Sequence, residues 1–416
     1  MSFSKNILFL AFAALAMPAA GNVWRVCANC DLTSIKAAVA QARPCDTIVV
    51  EGGTYFENGI HIDKELTLIG KGKPIIDGRN KGEIITVEAN HFHLEGFRIQ
   101  NVGQSYMEDW AGVRVRKAGE FLIRHNEFFD AYFAIYLQNA FNGEVSDNYI
   151  EAHSVEEANA GNAIHAWYCT GLTIARNHVK GNRDGIYFEF VDNSRIFGNL
   201  SENNIRYGLH FMFSDEDEYF DNIFRHNGAG VAVMYSRNIA MRRNIFEENW
   251  GPASYGLLLK DIYDAEISDN IFRKNTVGIF METSNRVHLL RNELRTNGWA
   301  MRLSGGNMQT RLEQCNFLQN TFNLAVHVAG SDNAFDGNYW SDYAGYDLDG
   351  DGFGDVPHRP MSLFAYVVNR TPEAMVLLRS LFVDLLNYSE KVSPLFTPEN
   401  VLDNKPLMKP VSIGLP

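Results

Sequence analysis

Two short apolar runs place soft metal ligands in register with each other. Residues 206–212 read RYGLHFM and residues 230–234 read GVAVM. Each alternates outward from a small residue, Gly208 or Gly230. Strand side chains alternate between two faces. Leu209, Phe211, Val231 and Val233 therefore share one face, and His210, Met212 and Met234 share the other. Adjacent strands lie ~4.8 Å apart, and same-face residues along one strand lie ~7 Å apart. If the two runs pair, Met212 and Met234 become rung neighbours with His210 one position across. Two thioethers and an imidazole suit Cu(I) better than harder cations. Zinc sites favour Cys, His and carboxylate, and calcium takes oxygen alone. Surface methionines also fill protein–protein contacts, so a metal-free interaction patch fits the same residues.

The elements that would position this trio follow from a repeat. Small residues recur at 112, 134, 163, 185, 208, 230, 256, 278 and 300, each followed by alternating apolar residues. The spacing is 22 or 23, except for two steps of 29 and 26 that carry the polar insertions EAHSVEEANAG and NWGPAS. An asparagine follows 14 residues after each of the first eight: Asn126, Asn148, Asn177, Asn199, Asn222, Asn244, Asn270 and Asn292. Two degenerate copies end at Asn316 and Asn338. A unit this short cannot bury its own apolar face, but stacked units can. The local period is 2 rather than 3.6, and the leucine-rich consensus is missing. The expected fold is all-β: a parallel β-helix with one coil per repeat and the asparagines stacked at one turn. LTSIKAAVAQA reads as a helix capping the N-terminal end, as an exposed sheet edge requires.

In this frame the outward positions form columns. One contains Arg114, Tyr136, His165, Tyr187, His210, Ala232 and Leu258; the other contains Gln138, Trp167, Glu189, Met212, Met234, Lys260 and Glu282. Tyr136, Trp167, Tyr187 and Glu189 would also suit a carbohydrate groove. A polysaccharide lyase or epimerase needs base, acid and charge neutralisation in one groove. Glu189, Glu282, Lys260 and Arg206 offer parts of that set without a tight acidic cluster.

The rest of the chain divides by composition. Residues 1–20 follow a signal-peptide pattern with cleavage near Ala19 or Ala20, which implies a periplasmic protein. The β-helix is expected over 21–345, an Asp-rich loop over 346–357, and a C-terminal helix with an extended arm over 358–416. A net charge of −13 argues against a nucleic-acid partner. Cys27, Cys30 and Cys45 cluster near the N-terminus and suggest a disulfide of open pairing; CANC also has a two-ligand metal spacing, without a second such motif. Asp347, Asp349, Asp351, Phe353 and Asp355 follow the first nine positions of an EF-hand loop, and a structural Ca²⁺ fits them. The pattern departs at its last ligand, where His358 replaces the glutamate. Residues 371–392 read as one helix, with Thr371 as N-cap and Pro372 at its first turn. It would cap the solenoid or dock on a partner, with PLMKP as a terminal arm.

The stretches RDGIYFE, RYGLHFMFSDEDEYFDN, GVAVMYSRNI, YGLLLKDIYDAEISDN and NYWSDYAGYDLDGDGFGDVPHRP together resemble the NosD family, accessory proteins for nitrous oxide reductase. The resemblance covers roughly residues 45 to 410. It implies a periplasmic, right-handed parallel β-helix that works with an ABC-type ATPase and permease and helps load copper into nitrous oxide reductase. A copper chaperone lipoprotein is a further implied partner, and the protein itself is implied not to be a catalyst. The implied copper positions are His210, Met212 and Met234. The three N-terminal cysteines are not part of the family pattern, and Cys45 stands where such chains more often carry glycine. A metal-free scaffold and a carrier of a sulfur species remain open within the same resemblance.

Overall fold

The computed structural model describes residues 21–105, 107–326, 332–392 and 401–414. The signal-peptide reading of residues 1–20 and residues 327–331 of the last degenerate repeat lie outside them. Among the described residues, strands stack coil upon coil into three parallel sheets of 13, 12 and 13 strands. Between the two ends each coil contributes one strand per sheet, so successive strands of a sheet lie one repeat apart in sequence.

The 12-stranded sheet carries the alternating runs. Its pairs are in the register expected from the small residues: Ile186 opposite Leu209, Leu209 opposite Val231, and Val231 opposite Leu257. All four are fully buried in the solenoid core, as are Phe188, Phe211, Val233 and Leu259 beside them. Because the side-chain period is two, this register forces the intervening residues to the outer face.

At the turns, asparagines replace apolar packing with hydrogen bonds. The Asn222 side-chain oxygen accepts from the Asn199 backbone N–H at 3.0 Å and from its amide Nδ2 at 2.9 Å. The Asn222 amide donates to the Ile196 carbonyl at 2.9 Å and to Asn244 at 3.0 Å. Stacking thus satisfies buried backbone groups that the turn leaves open. The expected column runs from Asn126 through Asn292, but its next member is Cys315, whose sulfur receives the Asn292 N–H at 3.4 Å. Asn316 lies one residue off and hydrogen-bonds Val411 of the C-terminal arm instead. A second ladder, Asn182–Asn204–Asn227–Asn249–Asn275–Asn297–Asn320, was not anticipated. Its signal was present as a second asparagine five residues after the first.

The ends are closed differently. Ile35–Gln41 is the expected N-terminal helix, capped by the Ser34 hydroxyl. The Glu57 carboxylate accepts from the Ile35 and Lys36 N–H groups at 2.9 and 2.8 Å, tying the helix to the first coil. Cys27 and Cys30 form a disulfide, while Cys45 is free and exposed. The three cysteines do not form one cluster. Val23–Val26 pairs with Asp46–Glu51 in parallel, so Cys45 lies at the start of that strand pair and Cys27 at its end.

The C-terminal region corrects the single-helix expectation. Leu363–Arg370 is a helix, Pro372–Leu377 is a 3-10 turn and Leu381–Val392 is a second helix. Thr371 closes the first helix through its N–H to the Val367 carbonyl, and its side chain makes no cap bond to the 3-10 turn. Leu378 is extended and Arg379 has φ of 68°, which breaks the run before Ser380. These helices do not cap the end of the solenoid. Phe364, Ala365, Val368 and Val383 pack with Val277, Trp299, Phe322 and Ala325 on the outer face of the 12-stranded sheet. The end itself is closed by residues 401–411, which fold back instead of reaching away. The buried Asp403 carboxylate accepts from the Gly337 and Asn338 N–H groups and the Trp340 indole at 3.0, 2.9 and 2.8 Å. Leu407 pairs with Tyr339 and with Phe353.

Candidate functional site

Tyr207–Met212 and Ala229–Met234 are neighbouring strands, and Met212 lies directly opposite Met234. Both thioether side chains are half-buried on the outer face. Glu189 is the rung neighbour of Met212 on one side, and Lys260 is that of Met234 on the other. The pair therefore sits between one anionic and one cationic side chain.

His210 occupies the outer face as expected, but it is not a solvated surface group. It is only 5% exposed. The rings of Tyr187 and Tyr207 enclose it at centroid distances of 5.0 and 4.7 Å. Its Nδ1 lies 3.4 Å from Nη2 of Arg206. A guanidinium is always a donor, so Nδ1 accepts and Nε2 carries the proton in this arrangement. That buried Nε2 has no hydrogen-bond partner. Burial, then the charges of Arg206 and Arg183, push the imidazole down to about 3. It is neutral at any periplasmic pH, the form that binds metals. Ligation through Nε2 requires the proton to move to Nδ1 and the Arg206 contact to open. Asp184 and Glu157 lie 3.4 and 3.1 Å from the Arg206 guanidinium and can hold it in the opened position.

His165 repeats this environment two coils away. Its ring stacks on Tyr187 at 4.7 Å and meets Tyr136 edge-on at 4.6 Å, and Asn162 lies 3.0 Å from its Nδ1. Burial and the nearby Arg183 and Arg114 bring it down to about 3 as well. Tyr187 is raised to about 12, by burial first and then by Glu189. Of the suggested groove residues, Trp167 and Glu189 share a register column and Tyr136 and Tyr187 share the next.

One feature of the site escaped the sequence reading. Tyr168, Phe190, Phe213 and Tyr235 each follow an outward residue and stack in a continuous row, with centroids 4.5, 5.1 and 5.1 Å apart. All four have positive φ, between 50° and 55°. Bulky side chains seldom adopt that conformation, yet three of the rings are more than 40% exposed. The row runs alongside Met212 and Met234, since Phe213 and Tyr235 follow them directly. The pairs WY, EF, MF and MY at one offset in four successive repeats were its sequence signal.

In the Asp-rich loop, Asp347, Asp349 and Asp351 bring carboxylate oxygens within 4.8 Å of one another. Asp355 stays outside that group and accepts from the Leu348 N–H at 2.7 Å. Asp347 also accepts from Gly350 and Gly352 at 2.7 and 3.0 Å, so the turn is closed by its own backbone. Phe353 pairs with the C-terminal arm. Helices do not flank the loop: Tyr339–Trp340 precedes it, and Leu363–Arg370 begins well after it.

Comparison with known proteins now bears on this geometry. A family model described as periplasmic copper-binding protein (NosD) matches residues 146–345, which contain the methionine pair and His210. A probable ABC transporter binding protein NosD of Pseudomonas aeruginosa is 29% identical over 399 residues, covering 89% of this chain and 92% of that protein. Its namesake in Stutzerimonas stutzeri is 25% identical over 375 residues, covering 85% of each. Among solved structures, a Yersinia enterocolitica family 28 exopolygalacturonase superposes with a TM-score of 0.55 at 9% identity, covering 77% of this chain and 78% of that one. An Azotobacter vinelandii mannuronan C-5 epimerase AlgE6 A-module gives 0.53 at 12% identity, covering 73% and 92%. At such identities these two share the fold alone. The family match and the near full-length relatives agree with the coil-by-coil reading: this chain carries, over residues 146–345, a domain that matches the family of periplasmic copper-binding NosD proteins, and it is similar along most of its length to proteins of that name.

Proposed function

We propose that this protein binds Cu(I) transiently at Met212, Met234 and His210 and passes it on as the periplasmic subunit of an ABC-transporter-linked complex. In this reading the ATPase and permease are its partners, a copper chaperone lipoprotein supplies the ion, and nitrous oxide reductase is the final acceptor. The observation that carries the reading is the direct cross-strand pairing of Met212 with Met234 beside a neutral, buried imidazole. The copper-binding description of the family and the transporter-binding names of the relatives support it. The ion is cargo rather than a resident cofactor, and a three-ligand soft site with an open position suits hand-over. The chain acts as a binding protein and not as an enzyme.

Anaerobic Cu(I) titration against a competing chelator tests the assignment. The Met212→Leu, Met234→Leu double variant keeps the side-chain volume and is expected to lose the outer-face equivalent. Unchanged affinity in that variant would overturn the site. A second reading, in which the outer face binds an anionic polysaccharide, draws on the Tyr136–His165–Tyr187 ring row beside Arg114 and Arg206. Binding or turnover of uronic-acid polymers would favour it. The loop of Asp347, Asp349 and Asp351 is our proposed place for a structural Ca²⁺, supported by their close approach.

A further inference from the structure

The Cys27–Cys30 pair stands apart from the methionine site and has no role in it. It closes a turn of four residues directly after the strand Val23–Val26. As a staple it is redundant. The strand already pairs with Asp46–Glu51 along its whole length. The Trp24 indole donates to Asp46 at 2.8 Å, and the Tyr55 hydroxyl donates to the Val26 carbonyl at 3.3 Å. Within the turn, the Cys30 N–H reaches the Cys27 carbonyl at 3.2 Å, and the Cys27 N–H reaches Leu32 at 3.1 Å. A disulfide across so short a loop removes little chain entropy from the unfolded state. Cys45, which would close a far longer loop, is held at the opposite end of the strand pair and stays free. Both bridged sulfurs belong to half-buried residues, and Ala28 and Asn29 between them are exposed.

A short, accessible disulfide whose removal leaves the backbone anchored is a redox group rather than a brace. Its reduced form presents two thiolates on one turn, from α-carbons that the bridge holds 5.1 Å apart. Thiolates are the protein ligands softest toward Cu(I). We propose that Cys27 and Cys30 form a redox-gated Cu(I) site, separate from the methionine site and at the N-terminal end of the solenoid. A partner dithiol of the thioredoxin-fold class attacks the S–S bond and takes up the disulfide. Two electrons and two protons thereby pass to Cys27 and Cys30. Binding of one Cu(I) releases both thiol protons. Reoxidation by a partner disulfide returns two electrons, re-forms the S–S bond and expels Cu(I) with its oxidation state unchanged.

The test uses the full mature chain carrying Met212→Leu and Met234→Leu, so that the outcome is independent of the methionine site. Cys45→Ser is added to remove the exposed free thiol. The protein is reduced with a phosphine, desalted anaerobically and titrated with Cu(I) against bicinchoninate. One Cu(I) equivalent per chain is expected after reduction and none after reoxidation with glutathione disulfide. The same chain carrying Cys27→Ser and Cys30→Ser is expected to bind none in either state. Circular dichroism is expected to be unchanged by reduction. Equal Cu(I) uptake with and without the two cysteines would overturn the proposal. So would thiols that fail to appear in the folded protein under excess reductant, or loss of fold on reduction, because either makes the bridge a brace.

Discussion

The two outer-face histidines are expected to make folding stability fall with pH well above the carboxylate range. His165 and His210 are both held down to about 3, chiefly by burial and then by neighbouring guanidinium groups. In the unfolded chain each titrates at about 6.5. Below that value the unfolded state binds protons that the folded state refuses, so stability drops as pH falls. Between pH 7.5 and 5.0 the loss per histidine is RT ln(1 + 10^1.5), about 2 kcal/mol. The pair together costs about 4 kcal/mol at most. Opening in a solenoid is local, so amide hydrogen exchange across Tyr207–Met212 and Ala229–Met234 is the appropriate measure. His210→Gln keeps a polar group of similar size without a titration. Its local opening energy should depend less steeply on pH than that of the parent, by about 2 kcal/mol over this interval. Carboxylate effects are common to both proteins and cancel in the difference. Equal pH slopes, or an NMR titration placing the His210 ring between 6 and 7, would refute the claim that this imidazole is buried beneath Tyr187, Tyr207 and Arg206.

Three further outcomes rest on particular contacts. Asn222→Ala takes the acceptor from the Asn199 N–H and a donor from the Ile196 carbonyl, two buried groups at ~1–3 kcal/mol each, so local opening of that turn should become easier by about 2–6 kcal/mol in hydrogen exchange. Asp403→Ala leaves the Gly337 and Asn338 N–H groups and the Trp340 indole without their acceptor. Tryptophan fluorescence should report a wetter Trp340, and exchange should quicken in Asn316–Leu318 and Tyr339–Trp340 but not in coils near the N-terminus. If the Asp347 loop holds Ca²⁺ with the ~10⁻⁴–10⁻³ M dissociation constant of extracellular sites, 1 mM calcium should stabilise the chain by about 0.4–1.4 kcal/mol. Asp351→Ala should abolish that gain, and calorimetry that detects no calcium-dependent shift in the parent would remove the ion from the loop.

The chain by itself determined the solenoid. Its 22-residue period, its inward apolar alternation and its first asparagine column are properties of single repeats, and a stacked fold multiplies them without alteration. The same alternation was enough to put His210, Met212 and Met234 on one face, because strand register leaves two choices and the core takes one. Contacts between distant segments were decided only in three dimensions. Cys315 rather than Asn316 continues the first ladder because that coil turns one residue earlier, which the degenerate repeat conceals. His210 is enclosed because Arg206, just before its strand, and Tyr207, the first residue of that strand, fold against it together with Tyr187 of the preceding coil. The C-terminal helices settle on the outer face of the last coils because Trp299, Phe322 and Phe280 leave apolar surface there that only a later segment can cover. Asp403 closes the end because a backbone edge some 65 residues earlier offers it unpaired donors. Local pattern settles which way a side chain points; what comes to lie above it depends on parts of the chain that share no period with it.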